Sequence, residues 1–390
     1  MTIEGTRDTE SAGRIRLGMV GGGQGAFIGA VHRIAARMDG EYDLVAGAFS
    51  SQPKRALESA LELGVARERA YGTYEEMVAA EARRDDGIEA VSIVTPNHLH
   101  APIATAFLEA GIHVICDKPL TSTLEDARTL ARAAHRSGLV FVLTHNYTGY
   151  PMVRQARAMV GAGKLGTVRV VQVEYPQDWL TEPLEKTGQK QATWRTDPKQ
   201  SGAGGCIGDI GTHAYNLATF VTGLQLESLA AELSTFVKGR RLDDNVQILL
   251  RFKGGARGTL WASQIAPGNE NGLRIRIYGD KGGLEWKQED SNYLWFTAYG
   301  EPKQLITRGG AGSGPESARV SRIPSGHPEG YLEGFANIYA EAARAIRAAR
   351  EGRTPGSEVI YPTVDDGVKG MEFIDAAVRS SKGGGVWVEV

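Results

Sequence analysis

The stretch GMVGGGQGAFIGAVHR, residues 18–33, joins the end of an apolar run to the start of a helical pattern. Residues 15–20 are apolar enough to predict a buried strand, and apolar residues recur with helical spacing over residues 26–38. Glycines in such a turn let backbone N–H groups approach a diphosphate at the N-terminus of the helix. The context predicts a dinucleotide-binding turn, with a plain tight turn as the alternative.

The turn supplies the first group of candidate cofactor contacts. Gly21 and Gly23 match the first two positions of the pattern GxGxxG, and Ala26 can stand at the third. The residues of this turn that we expect to contact the cofactor are Gly21, Gly23, Gln24, Gly25, Ala26 and Phe27.

The second strand, predicted over residues 44–49, ends without the carboxylate that usually binds the adenosine ribose of NAD. Ser50 and Ser51 can bond either a ribose hydroxyl or a 2′-phosphate, and Arg55 can neutralise that phosphate. The cofactor is therefore expected to be NAD or NADP, which the sequence does not distinguish. The alternative for the basic residues is a solvated helix start behind Pro53.

Alternating strand and helix patterns continue to residue 146 and then give way to successive strands joined by short turns. The first pattern is typical of a parallel sheet covered on both faces, and the second of an antiparallel sheet. We expect an α/β chain with an N-terminal Rossmann dinucleotide-binding domain, residues 14–146. A C-terminal α+β domain on a mostly antiparallel open sheet, residues 147–390, should follow, and residues 1–13 should form a flexible tail.

Polar residues follow two predicted strands, in the motifs TPNHLH (95–100) and CDKP (116–119). Parallel sheets bind ligands beyond the carboxyl ends of their strands, so both motifs should face the same crevice. Lys118 can donate to a substrate oxygen or take part in proton transfer. The candidate cofactor contacts here are Thr95, Pro96, Asn97, His98, His100, Asp117 and Lys118.

The motif GDIGTH, residues 208–213, places Asp209 and His213 four residues apart, on one face of a helix that starts near residue 209. Alcohol oxidation needs a base near pH 7, and a carboxylate beside an imidazole can supply and tune one. The structural alternative is a helix cap with a packed histidine.

Composition excludes several classes of protein. With 44 basic and 46 acidic residues among 390, the chain has no cationic excess for nucleic acid. Two cysteines without a CxxC or paired His/Cys spacing predict neither a disulfide framework nor a metal site, and are typical of a cytoplasmic protein. No apolar run reaches the roughly 18 residues of a membrane span, so no membrane partner is expected.

Taken in order, the glycine turn, TPNHLH, CDKP and GDIGTH resemble the glucose-fructose oxidoreductase and inositol dehydrogenase (Gfo/Idh/MocA) family, from about residue 14 onward. The resemblance implies a nicotinamide cofactor, a sugar, sugar derivative or cyclitol as substrate, and a homodimer or homotetramer. It implies that Lys118, which in the family is commonly followed by a cis proline, contacts the substrate and the cofactor. It also implies that His213 is the base and that Asp209 is the positioning carboxylate. Asp117 departs from the usual glutamate, and the glycine turn is longer than in simple members.

The segment 177–205 lies just before the Asp/His motif and reads as a long polar loop of the kind that is usually functional. Trp194 suits the apolar face of a pyranose ring and Arg195 its hydroxyls, whereas core packing and a structural ion pair are the alternatives. The candidate substrate contacts are Asn146, Tyr147, Trp194, Arg195, Asp209 and His213.

Three functions follow from this set. The first is an NAD(P)-dependent oxidoreductase that removes hydride from a secondary hydroxyl of a sugar or cyclitol. The second is a glycosidase that keeps its cofactor and cleaves by transient oxidation and elimination. The third is a dinucleotide sensor without catalysis, against which the intact set Lys118, Asp209 and His213 argues.

Overall fold

The N-terminal half is built on a parallel sheet with the order β2-β1-β3-β4-β5. The computed structural model describes residues 13–390, so the predicted tail, apart from Gly13, lies outside the described residues. The strands are β1 (Ile15–Gly21), β2 (Tyr42–Ala48), β3 (Ala90–Val94), β4 (His113–Cys116) and β5 (Phe141–Leu143). The strand order reverses at β1, which creates a crevice at the carboxyl ends of β1 and β3.

Helices cover this sheet and bury apolar side chains against it. They are α1 (Phe27–Met38), α2 (Pro53–Glu62), α3 (Tyr74–Glu81), α4 (His100–Glu109) and α5 (Leu124–Ser137). Thr123 caps α5, since its side chain accepts a hydrogen bond from the backbone N–H of Asp126, and Gly138 ends the helix in the left-handed region at φ +65°.

The C-terminal half contains a sheet with the order β13-β12-β11-β10-β6-β9-β8-β7-β14. Its neighbouring strands are antiparallel except for the parallel pair β6 and β9. The strands are β6 (Val168–Pro176), β7 (Leu226–Ser234), β8 (Asn245–Phe252), β9 (Arg257–Ser263), β10 (Arg274–Gly279), β11 (Gly282–Lys287), β12 (Tyr293–Ala298), β13 (Gln304–Thr307) and β14 (Val388–Glu389). The predicted fold class is confirmed.

The helices of this half are α6 (Pro151–Gly161), α7 (Lys190–Arg195), α8 (Pro198–Ser201), α9 (Thr212–Thr222), α10 (Pro315–Ala318), α11 (Tyr331–Arg350) and α12 (Val364–Lys382). The segment 177–205 is therefore not the structureless loop that its polar composition predicts, because it contains α7 and α8. The strands β11 and β13 were not predicted either, since their glycines and short length hide the alternation of side chains.

Helix α11 returns from the C-terminal half to complete the core of the N-terminal half. Phe335 and Tyr339 on α11 pack in one cluster with Leu17 of β1 and Val31 of α1. The core of the N-terminal half therefore includes α11, which lies far beyond residue 146 in the chain. None of the helices between residues 13 and 390 combines the length and apolar composition required to cross a bilayer.

Candidate active site

The glycine turn has the conformation that only glycine adopts readily. Gly21, Gly22 and Gly25 have φ values of +82°, +72° and +72°. A Cβ atom on Gly29 would lie 2.4 Å from the Cα atom of Gly22. Gly29, rather than the predicted Ala26, is therefore the residue that lets α1 pack closely against the turn.

The residues of the turn fit a dinucleotide. Helix α1 has no side-chain cap at Ala26 and no acidic residue in its first turn, so its first N–H groups remain available to a diphosphate. Residues 23–27 line a hollow of about 400 Å³. Beside the turn, Thr95 Oγ1 is buried without a hydrogen-bond partner among the described residues, as expected of an atom that faces a bound cofactor.

The end of β2 presents two serines and an arginine. Ser50 Oγ accepts a hydrogen bond from the backbone N–H of Gln52 at 3.2 Å, and Ser51 is exposed. Arg55 reaches back to the glycine turn, where its Nη2 atom donates to the carbonyl oxygen of Gln24 at 2.6 Å. This arrangement leaves both NAD and NADP possible.

Two of the residues predicted to contact the cofactor after β3 make hydrogen bonds that link separate parts of the structure. Asn97 is buried, and its Nδ2 atom donates to the carbonyl oxygen of Ser201 at 3.0 Å, which ties the crevice to α8. The buried ring of His100 bridges the carbonyl oxygens of Thr95 and Pro119, each at 2.9 Å. His100 thus links the loops after β3 and β4 and does not line the cleft.

The main cleft, of about 1080 Å³, lies between the two sheets at the carboxyl ends of the parallel strands. Its N-terminal wall includes Phe27, Asp117, Lys118, Thr144, Asn146 and Tyr147. Its C-terminal wall includes Gln177, Trp179, Arg195, Asp209, His213, Asn271 and Tyr331. Most of the predicted catalytic and substrate residues therefore meet in one cleft.

Lys118 follows β4 and is linked to Pro119 by a cis peptide bond. Its Nζ atom donates to Asp209 Oδ1 at 3.0 Å and to the backbone carbonyl oxygen of Asp209. The carboxylate of Asp117 does not pair with the lysine side chain. Its Oδ1 atom accepts a hydrogen bond from the backbone N–H of Lys118 at 2.9 Å and one from the hydroxyl of Thr144 at 3.0 Å. The short carboxylate therefore fixes the turn that carries the lysine.

The carboxylate of Asp209 is fully engaged. Its Oδ2 atom accepts from Gln264 Nε2 at 2.9 Å and lies 3.2 Å from Arg195 Nε. Burial raises the pKa of Asp209, but the charges of Lys118 and Arg195 outweigh burial and hold the pKa below its usual value. The predicted pairing of Asp209 with His213 is thus replaced by a pairing with Lys118, on a wide π-helical turn at Ile207–Gly211.

His213 packs at the base of the cleft among aromatic rings. Its ring centroid lies 4.9 Å from that of Tyr147 and 5.4 Å from that of His145. Burial, followed by the charge of Lys118 and the neighbouring His145, lowers the pKa of His213 well below 6.5. The Nδ1 atom is buried and has no partner within residues 13–390, which leaves Nε2 as the ring nitrogen that can face a substrate.

The substrate side differs from the sequence prediction at one aromatic residue. Trp194 does not line the cleft, because its Nε1 atom donates to Gln191 at 3.3 Å and its ring lies under the guanidinium of Arg195 at 4.3 Å. Trp179 lines the cleft instead. The spacing of tryptophans in a polar segment does not show which of them lines the cleft.

Three contributors to the site escaped prediction. His145 follows β5, at the same edge of the sheet as Lys118, so its position after a strand was an available signal. Asn271 accepts hydrogen bonds from Tyr175 at 2.7 Å and from Gln177 at 2.8 Å, and Gln264 contacts Asp209. Both amides lie in the loop between β9 and β10, which carries no motif.

Between residues 13 and 390, no cluster of three or more His, Cys, Asp or Glu side chains is arranged to hold a metal ion. The two cationic side chains of the cleft, Lys118 and Arg195, both pair with Asp209.

Comparison with known proteins matches both halves of the chain. Residues 15–145 match the oxidoreductase family with an NAD-binding Rossmann fold, and residues 153–285 match the GFO/IDH/MocA C-terminal domain. A crystal structure of an oxidoreductase from Sinorhizobium meliloti is 61% identical, covers 97% of this chain and 100% of its own, and superposes with a TM-score of 0.88.

Two further similar proteins have named ligands or activities. The crystal structure of an inositol dehydrogenase homolog from Azotobacter vinelandii, complexed with NADH and myo-inositol, is 39% identical. It covers 97% of this chain and 98% of its own, with a TM-score of 0.91. A levoglucosan dehydrogenase from Pseudarthrobacter phenanthrenivorans is 29% identical over 96% of this chain and 98% of its own.

Proposed function

Because the chain belongs to the Gfo/Idh/MocA family of NAD-binding oxidoreductases, we propose that it oxidises a secondary hydroxyl group of a sugar, sugar derivative or cyclitol, with NAD or NADP as the cofactor. The observation that carries the proposal is the convergence of Lys118, Asp209 and His213 in the cleft beside the glycine turn. The similarity to proteins named for myo-inositol and levoglucosan supports the substrate class.

The nicotinamide ring, when bound, supplies a hydride acceptor. The residues of the chain then handle the proton: His213 is neutral near pH 7, because burial and Lys118 lower its pKa, so Nε2 can accept the hydroxyl proton. Lys118 Nζ donates a hydrogen bond to the oxygen that loses the proton and stabilises its developing negative charge. Asp209 holds Nζ in place through its carboxylate and its backbone carbonyl.

The charges of the cleft favour a neutral substrate. Its carboxylates, Asp117, Asp209, Glu270, Glu289 and Glu329, outnumber its two cationic side chains, Lys118 and Arg195. Both cations are already engaged by Asp209. Amides such as Gln177 and Asn271 can donate to and accept from hydroxyl groups. We therefore expect free polyols to be preferred over sugar phosphates and sugar acids.

The test is cofactor reduction at 340 nm with NAD and NADP in parallel, across hexoses, inositols, levoglucosan, sugar acids and aryl glycosides. Release of the aglycone is followed in the same wells. The proposal predicts reduced cofactor with one or more neutral polyols. Aglycone release without reduced cofactor would instead indicate the cofactor-retaining glycosidase, and dinucleotide binding without either reaction would indicate the sensor.

We also propose that the outer face of the C-terminal sheet joins copies of the chain into a dimer or tetramer. Four strands of this sheet, β6, β8, β10 and β12, carry exposed large apolar side chains: Val170, Leu249, Tyr278, Tyr293 and Trp295. Sedimentation equilibrium should give a mass at least twice that of the monomer. The buried free thiols Cys116 and Cys206 are consistent with a cytoplasmic protein.

A further inference from the structure

A single buried residue holds the start of the helical segment that carries Asp209. Asp243 lies in the loop between β7 and β8 and is 7% exposed. Its Oδ1 atom accepts the backbone N–H of Gly205 at 2.7 Å, and its Oδ2 atom accepts that of Ile207 at 2.8 Å. Its own backbone carbonyl accepts the N–H of Cys206 at 2.8 Å. Three consecutive N–H groups at a helix start thus depend on one residue.

The held segment determines where Lys118 finds its acceptors. The backbone N–H of Asp209 donates to the carbonyl oxygen of Gly205 at 2.9 Å, within the turn that begins at this anchor. Lys118 in turn donates to both the backbone carbonyl and the carboxylate of Asp209. A displacement of the turn would therefore move both acceptors of the lysine together.

The contact between Asp243 and residues 205–207, here called the anchor, is close enough that a small shift of Asp243 would shift these residues. A Cβ atom on Gly205 would lie 2.3 Å from the carbonyl oxygen of Asp243, so the two backbones touch without an intervening side chain. The turn over residues 207–211 is π-helical, a geometry that is found frequently at functional sites and that needs support from its surroundings.

We propose that Asp243 is a positioning residue for the Lys118–Asp209 pair, and that its ionised carboxylate is needed to hold the turn in the geometry required for catalysis. This inference rests on the proposed function, since it concerns the same site. It assigns no contact between Asp243 and the substrate or cofactor.

The surroundings of Asp243 make its charge sensitive to pH. The titratable groups that face it are Asp244 and Cys206, and the cation Arg240 pairs with Asp244 at 3.2 Å. Burial raises the pKa of Asp243 to about 6, against the opposing effect of the backbone N–H groups of Ile207, Gly205 and Asp243 itself. A carboxyl group that takes up a proton loses one acceptor position, so the geometry of the anchor changes as the pH falls below about 6. Because the pKa is raised, the closed segment also binds that proton more tightly than an opened one would.

The first test is Asp243→Asn, which replaces one accepting oxygen with an amide that cannot accept. We expect kcat to fall by about 10- to 100-fold, as for a misplaced catalytic group, while the dissociation constant for the cofactor changes by less than about threefold. The decline in kcat below pH 6 should be present in the wild type and absent from the variant. Unchanged kcat, or a decline that persists in the variant, would overturn the proposal.

The matched control is Asp366→Asn. Asp366 is also a carboxylate that accepts a backbone N–H at a helix start, that of Thr363 at 2.9 Å, but it caps α12 rather than the catalytic turn. This variant should keep the kcat and the pH profile of the wild type. If Asp366→Asn lowered kcat as much as Asp243→Asn does, the loss of any helix cap would have the same effect. That result would overturn the proposal that Asp243 positions the Lys118–Asp209 pair.

A second test uses the wild-type protein and so does not depend on the folding of a variant. Because the closed segment holds the proton of Asp243 more tightly than an opened one, hydrogen exchange of a peptide spanning residues 204–210, corrected for the intrinsic effect of pH, should gain protection by about fourfold between pH 7.5 and 5.5. A peptide spanning residues 363–368 should not. If the protection of the first peptide did not change with pH, the proposed role of the Asp243 carboxylate would be overturned. If the wild-type protein reduced no cofactor, only the proposed reaction would be contradicted.

Discussion

Lys118 and Asp209 come from opposite halves of the chain and meet in an ion pair, with Nζ 3.0 Å from Oδ1. The lysine follows a strand of the parallel sheet, and the aspartate lies on a π-helical turn of the C-terminal half. The lysine is therefore held by a residue of the C-terminal half. In the proposed reaction, this pairing leaves His213, one helical turn beyond Asp209, free to accept the substrate proton.

Replacing Lys118 with methionine should reduce kcat by about 10² to 10⁴, because the hydrogen bond to the reacting oxygen is lost. Lys164→Met, at an exposed position of similar chemistry, should have no effect on kcat. Cofactor titrations by fluorescence should give similar dissociation constants for both variants. A Lys118→Met protein with more than about a tenth of the wild-type kcat would rule out the role given to the lysine.

A methyl group on Gly29 should disturb the glycine turn. In Gly29→Ala the new Cβ atom would meet Gly22 at 2.4 Å, and such overpacking costs about 1–3 kcal/mol. We expect a lower melting temperature and weaker binding of the cofactor. Gly161→Ala, at the end of α6 with no atom within 4 Å of the new group, should be neutral or stabilising. Equal melting temperatures for the two variants would contradict the packing role of Gly29.

An acidic residue after β2 should select against NADP. In Ser51→Asp the new carboxylate would repel a 2′-phosphate and suit a ribose hydroxyl. The ratio of the NADP to the NAD dissociation constant should rise by about tenfold, a difference of about 1.4 kcal/mol. Isothermal titration of both cofactors measures it, with Ser51→Asn as the neutral control. A ratio that stays constant would mean that the adenosine ribose does not lie at this strand end.

Buried histidines should make the fold sensitive to acid. Burial lowers the pKa of His32 and of His113 to about 4, and that of His145 to about 3. In the unfolded chain these histidines take up protons below pH 6.5, whereas the folded protein does not until the pH is much lower. Their contribution to the free energy of unfolding is therefore present above pH 6.5 and is lost as the pH falls toward 4.

Urea denaturation between pH 7 and 4.5 measures this loss. Each such histidine contributes a slope of about 1.4 kcal/mol per pH unit, so His145→Phe should flatten the curve. His135→Asn should not, because His135 is exposed, with 59% of its side chain accessible. An identical slope for the two variants would show that His145 does not stay neutral in the folded protein.

The sequence predicted the elements that carry strong local signals. The strands β3 and β4 occupy residues 90–94 and 113–116 as expected, because each is an apolar run bounded by polar turn residues. The strand-end position of Lys118 followed from these bounds. The same logic applied to His145, which was overlooked after β5.

The remaining features depend on contacts between residues far apart in the chain. A spacing of four residues suggested that Asp209 pairs with His213, but the carboxylate is bound by Lys118, Arg195 and Gln264, which no local pattern connects. The choice between Trp179 and Trp194 depends on how α7 packs. Asp243 lies in a loop between two strands and accepts hydrogen bonds from the start of the helical segment that carries Asp209. No sequence motif indicates this contact.

The most direct measurement of the central claim follows a deuterium atom. The protein is incubated with oxidised cofactor and a ring-deuterated polyol from the panel, such as myo-inositol, beside His213→Asn and Lys118→Met. The account predicts that the reduced cofactor formed by the wild type carries one deuterium at C4 of the nicotinamide, and that both variants form it at least about 100-fold more slowly. Reduced cofactor without deuterium, or variants as fast as the wild type, would contradict it.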